Sequence, residues 1–128
     1  MKHIFIVFFL FFFATTCGGK VEVEYDEEII SIYGNGNKKL VNIFKVNGDR
    51  ALIRKTQFYI GGGIEIEQDV NANGQKSGIT TEYYENGLIK VSGYYSNNRK
   101  HGIFFWYDEV GKSLRTEEYK NGVKIRPK

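Results

Sequence analysis

Cysteine, histidine, long apolar runs and charge of one sign are all scarce in this chain, and each scarcity removes a class of function. Cys17 is the only cysteine among 128 residues, so no intramolecular disulfide and no CxxC metal site can form. Of the two histidines only His101 lies outside the apolar N-terminal segment. A histidine-based enzyme would need a nucleophile or an orienting carboxylate beside it, and the spacing identifies none. The longest apolar run, Ile4 to Phe13, stops at Ala14-Thr15-Thr16, well short of the roughly 20 residues of a membrane-spanning helix. The net charge is +3, or +2 without Lys2, a balance too mild to suggest nucleic acid, for which a clustered basic face would be expected.

What is present is glycine and aromatic residues: 15 glycines against one proline, and 16% aromatics, mostly Tyr and Phe. Aromatic side chains suit a pleated, half-covered surface, and glycine supplies the positive φ of tight turns, so the composition predicts one all-β domain. Before that domain, Lys2, the apolar run and the small residues after it have the three-part build of a secretory signal, a helix expected over residues 1–16. Residues 17–27 then read as a tether and a first strand, in which Val21, Val23 and Tyr25 alternate with Glu22 and Glu24.

Internal periodicity organises the rest. Sliding the chain by 24 residues lays 78–101 over 102–125 without a gap, matching Gly78 with Gly102, Ile79 with Ile103, Tyr83 with Tyr107, Gly87 with Gly111, Tyr95 with Tyr119, Asn97 with Asn121 and Lys100 with Lys124. Residues 54–77 keep Tyr59, Gly63, Asn73 and Lys76 in the same frame. An earlier copy carries Tyr33, Gly36, Phe44 and Asn47-Gly48, displaced by about one residue. About four units therefore fill 28–125, with 126–128 as a tail. Asn86-Gly87 and Asn121-Gly122 predict type I′ hairpin turns, and chained hairpins predict an antiparallel meander. Alternation sets Ile79, Thr81, Tyr83, Ile103, Phe105 and Tyr107 on one face and Thr80, Glu82, Tyr84, Phe104, Trp106 and Asp108 on the other. Because the first face is the repeated one, it is the expected packed face.

Two resemblances rest on these residues. Cys17 directly after Ala14-Thr15-Thr16 resembles the lipobox of bacterial lipoproteins, which implies acylation of Cys17 and a membrane-anchored protein of the bacterial cell envelope. The same small residues also fit an ordinary cleavage site, which would release a secreted or periplasmic protein. The pattern of glycine, aromatic pair, Asn-Gly, Gly-Tyr-Tyr, Asn and Lys-His-Gly over 73–122 resembles the MORN-repeat variant of bacterial proteins labelled YwqK-type antitoxin components. That family implies stacked β-hairpins acting as a scaffold or binding surface, without cofactor.

Candidate chemistry is sparse. Asp69, Asn71, Asn73 and Gly74 match the opening of a calcium loop, but the twelfth position is Thr80, which supplies no bidentate carboxylate, so a plain turn is expected at Asn73-Gly74. The glycine clusters at 34–37 and 61–63 lack a P-loop ending and read as turns. What remains is surface: Tyr84, Tyr94, Phe104 and Trp106, aromatics on an otherwise polar face, are the candidate contact residues. The sequence thus predicts a non-enzymatic protein-interaction scaffold, able to form a homodimer through a sheet face. A carbohydrate- or phospholipid-binding surface protein, or an antitoxin, is the alternative.

Overall fold

The computed structural model describes residues 23 to 125, and every regular element in that span is a β-strand. The strands are β1 (Glu24–Ile32), β2 (Lys38–Asn47), β3 (Asp49–Phe58), β4 (Ile64–Val70), β5 (Lys76–Tyr83), β6 (Ile89–Ser96), β7 (Arg99–Tyr107), β8 (Ser113–Lys120) and β9 (Val123–Ile125). Each pairs antiparallel with its neighbours in sequence, so all nine form one meander sheet. The first strand runs further than Val21 to Tyr25 suggested, because Glu24 to Ile29 zip onto Val46 to Val41 of β2. The expected signal helix and Cys17 lie outside the described residues.

Two kinds of turn alternate. Along one end of the sheet, five-residue turns start at Tyr33, Tyr59, Tyr84 and Asp108. In each, the first N–H donates to the carbonyl four residues on, and a glycine N–H donates back to the first carbonyl, at 2.8–3.0 Å. Those glycines, Gly36, Gly62, Gly87 and Gly111, all have φ between 83° and 92°, a region that costs any side chain dearly. Asn86-Gly87 is thus part of a five-residue turn and not a type I′ pair. Along the other end, Asn121-Gly122 does have two positive φ values, 52° and 88°, and so does Asn97-Asn98, at 47° and 66°. Asn73-Gly74 sits in a longer turn closed from Asn71 N–H to the Gln75 carbonyl, so it is not the counterpart of Asn121-Gly122 in conformation.

These turns correct the repeat frame. The intervals between turn starts are 26, 25 and 24 residues, so Tyr59 corresponds to Tyr84 rather than Tyr83, and Gly62 to Gly87. The longer Asn71–Gln75 turn, where the next unit has the two-residue Asn97-Asn98 turn, absorbs the additional residue. Side chains tie the units together: the hydroxyls of Tyr33, Tyr59 and Tyr84 donate to the carbonyls of Phe58, Tyr83 and Tyr107 at 2.7, 2.7 and 2.9 Å. Each turn tyrosine thereby fastens the end of the strand that precedes the next turn. At the fourth turn Asp108 replaces tyrosine, and its carboxylate accepts from the N–H groups of Val110 and Lys112 within its own turn.

Register is continuous across most of the sheet. One row of directly opposed residues runs Ile29, Val41, Thr56, Glu67, Thr81, Ser92, Phe105 and Thr116, from β1 to β8, on what we call the threonine face. A second runs Leu40, Gln57, Ile66, Glu82, Val91, Trp106 and Arg115 on the opposite, ring face.

No second layer of secondary structure covers either face among the described residues, so burial comes from neighbours on the same face. Val41, 1% exposed, and Thr56 are buried on the threonine face, and Phe104, also 1% exposed, and Thr80 on the ring face. On the expected packed face of the last units Thr81 is buried, but Ile79, Ile103 and Phe105 are open to solvent, while Phe104 on the opposite face is enclosed. Repetition marks the positions where each hairpin must bend and pair alike, and it carries no information about which face has bulky flanks. Ile103 is opposed by Glu118, whereas Phe104 has aromatic rings around it and a glycine beneath.

Candidate functional site

The ring face of β6 to β8 gathers a cluster of four aromatic side chains. Phe104, near the middle of β7, points onto Gly93 of β6, where a Cβ would lie 2.4 Å from its Cδ1. Around it stand Tyr95 and Tyr119, edge-on at centroid distances of 5.4 and 5.3 Å, and Trp106, tilted at 5.9 Å. Strand alternation puts these four on one face, because Tyr95, Phe104, Trp106 and Tyr119 occupy matched parities of three adjacent strands. Edge-to-face pairs of this kind add about 0.5–1.5 kcal/mol each beyond the area they bury.

Cations are laid over the rings. The Lys100 ammonium stands 4.8 Å from the Phe104 centroid, 4.9 Å from Tyr119 and 5.4 Å from Trp106, and the Arg115 guanidinium lies 4.6 Å over Trp106. The same contact recurs one unit earlier, with Lys76 at 5.0 Å over Tyr95. Lys124, the next in register, pairs instead with Glu117 at 2.6 Å, and Tyr119 donates its hydroxyl to the same carboxylate at 2.7 Å. Those two donors hold the Glu117 carboxyl below its usual range, and the bond to Glu117 pushes the Tyr119 hydroxyl up. Burial raises Tyr95. The face thus presents Lys76 and Lys100 over rings, with Arg115 and Lys124 also paired to Glu117.

The four residues singled out from sequence do not share a site. Phe104 and Trp106 belong to this cluster, Phe104 as its enclosed centre and Trp106 as a half-buried wall. Tyr94 points to the threonine face, 43% exposed, edge-on to His101 at 6.5 Å. Tyr84 sits in a turn, its hydroxyl bound to the Tyr107 carbonyl and Lys90 over its ring at 5.7 Å. Sequence reasoning passed over Lys100, Arg115, Tyr95, Tyr119 and Glu117. The available signal was the in-register recurrence of lysine and tyrosine, since Lys76 meets Tyr95 and Lys100 meets Tyr119 at the same spacing.

The calcium-like stretch is occupied by its own bonds. The Asp69 carboxylate takes the Arg54 guanidinium at 2.8 Å and the Ile79 N–H at 3.2 Å. Asn71 Oδ1 accepts from the N–H groups of Asn73 and Gln75, closing the turn. Among the described residues no group of three His, Cys, Asp or Glu side chains converges as metal ligands would. No described helix is long and apolar enough to cross a membrane. No family model, curated protein or solved structure matches this chain.

Proposed function

We propose that this chain is a non-enzymatic recognition module of MORN-like β-hairpin repeats, exported and lipid-anchored at Cys17, whose ring face holds an acidic surface of a protein partner. The observation that carries this reading is the Lys100 ammonium fixed among three rings, with Arg115 fixed over Trp106 beside it. Cations already held in place lose little further side-chain freedom on binding, so carboxylates meeting them are captured at low entropic cost. Hairpin units at 24- to 26-residue intervals agree with a MORN-like array. A sugar would stack on a bare ring face, and the Trp106 ring already carries Arg115 and Lys100, which favours an acidic partner over a neutral glycan.

The test is a crosslinked pull-down from the native envelope, comparing the wild-type chain with the double variant Lys100→Glu, Arg115→Glu. The wild type should capture an acidic protein, less so as salt rises, and the double variant should lose it. Equal capture by both refutes the reading, and binding of wild type to protein-free anionic vesicles assigns the face to lipid instead. Acyl labelling that persists in Cys17→Ala removes the anchor.

A further inference from the structure

A folded domain buries its apolar surface between layers, and the described residues supply only one. The threonine face therefore needs a cover, and its two halves differ in shape. Across β1 to β4 it holds a groove of about 410 Å³, floored by Val41, Ile43 and Thr56 and walled by Ile53, Phe58 and Ile64. Across β5 to β9 it carries a ridge of open apolar side chains, with Ile79 49%, Tyr94 43%, Ile103 52%, Phe105 40% and Ile125 38% exposed.

Groove and ridge lie at the same height along the strands. Val41 and Thr56 in the groove and Phe105 in the ridge belong to one unbroken cross-strand row, whose intervening members Glu67, Thr81 and Ser92 are mostly small. We propose that a second copy of this chain covers the threonine face, related by a two-fold axis parallel to the strands and passing over β5. That operation preserves height, exchanges the β1 and β9 edges of the sheet, and seats each ridge in the partner copy's groove. A copy of the same sheet has the same twist, which aligned packing at a spacing of about 10 Å requires.

The area suffices. Nine strands at ~4.8 Å and roughly 25 Å of strand length give about 1,000 Å² per face, against about 800 Å² per partner in a stable interface. Over the groove the charged groups are paired and can be covered: Arg54 bonds Asp69 at 2.8 Å and approaches Glu67 at 3.6 Å, and Tyr83 donates to Glu67 at 2.8 Å. Glu118, exposed on the penultimate strand, stays at the solvated rim of the ridge. Small Thr81 and Ser92, bonded to each other at 3.2 Å, sit near the axis where the two sheets come closest.

Sedimentation of the full chain tests this, with the strand signature of each variant checked by circular dichroism. The wild type should run at twice the chain mass. Ile103→Glu on the ridge and Ile64→Glu in the groove alter side chains already open to solvent, so each should fold and run as a monomer. Mixed together, the two variants should regain a dimer, because one intact groove then meets one intact ridge. A wild-type monomer at tens of micromolar, or a folded Ile103→Glu that still dimerises, overturns the proposal. Dimerisation of Ile64→Glu alone would show ridge against ridge and overturn the groove.

Discussion

The Phe104 ring lies directly on the backbone of Gly93, so close that a Cβ on Gly93 would stand within 2.4 to 2.5 Å of three ring carbons. No side chain shares that space, so the enclosure of the largest fully buried residue depends on the absence of an atom on the neighbouring strand. Gly93→Ala is predicted to destabilise the chain by about 1–3 kcal/mol through forced displacement of the ring, and Phe104→Ala by about 3–5 kcal/mol through the cavity it leaves. Urea unfolding followed by Trp106 fluorescence would measure both. An unchanged midpoint for Gly93→Ala would mean that the ring relaxes away from the strand without cost.

The turn tyrosines should contribute alike. Each of Tyr33→Phe, Tyr59→Phe and Tyr84→Phe removes one hydroxyl that bonds a strand-end carbonyl, with an expected cost of about 1 kcal/mol. The three sites lie on separate hairpins, so the double variant Tyr33→Phe, Tyr84→Phe should cost the sum of its singles. Denaturation midpoints near wild type would show that water replaces the tyrosine at no loss.

Opposite signs are expected at the two ends of the pH scale. Burial raises Tyr59, Tyr83 and Tyr95, and the bond to Glu117 raises Tyr119, each from an ordinary value of 10.0. A raised folded value gives stability that is complete below 10 and lost as pH climbs through the folded range, so unfolding and tyrosinate absorbance should appear together. Glu117, held below its ordinary 4.5 by Lys124 and Tyr119, contributes above that value and loses its contribution as pH falls through the lowered folded range. Glu117→Gln should flatten the acid limb of a thermal-midpoint profile. An acid limb identical to wild type would place the acid sensitivity elsewhere.

Thr80 offers a stabilising change. Its hydroxyl is buried without a protein partner, in the same cross-strand row as Asn42, whose Oδ1 is likewise unpartnered. Thr80→Val keeps the branched shape and removes the desolvated group, so the thermal midpoint should hold or rise. A drop of several degrees would reveal a hydrogen bond that the hydroxyl makes through solvent.

The architecture was legible because hairpin chemistry is local. Asn-Gly pairs, recurring glycines and period-two runs announced antiparallel strands in chain order, and the Gly78-to-Gly102 match placed the last two units in register. The phase of the earlier unit was not legible, since Tyr59 can be laid over Tyr83 or Tyr84 with equal ease and only the five-residue turn bonds decide. The buried face was misjudged for a related reason. Alternation separates Ile103 from Phe104 but does not say which of them finds Gly93 beneath it and Tyr95 and Tyr119 beside it. Trp106 and Phe104 are legible as aromatics on an otherwise polar face. The cluster around them is less legible, because Tyr119 stands 19 residues from Lys100 on a strand that meets β7 only once the hairpin has closed.

The chain order of the strands also dictates how the sheet yields to load. Since each strand bonds only its sequence neighbours, tension on the two ends opens hydrogen bonds one after another rather than all together. Pulled from its termini, the protein should come apart at low force, a hairpin at a time, in steps on the order of 80 Å for units of about 25 residues. A tether built this way gives length gradually: a module anchored at one end and gripped at the other behaves as a shock absorber rather than a rigid strut.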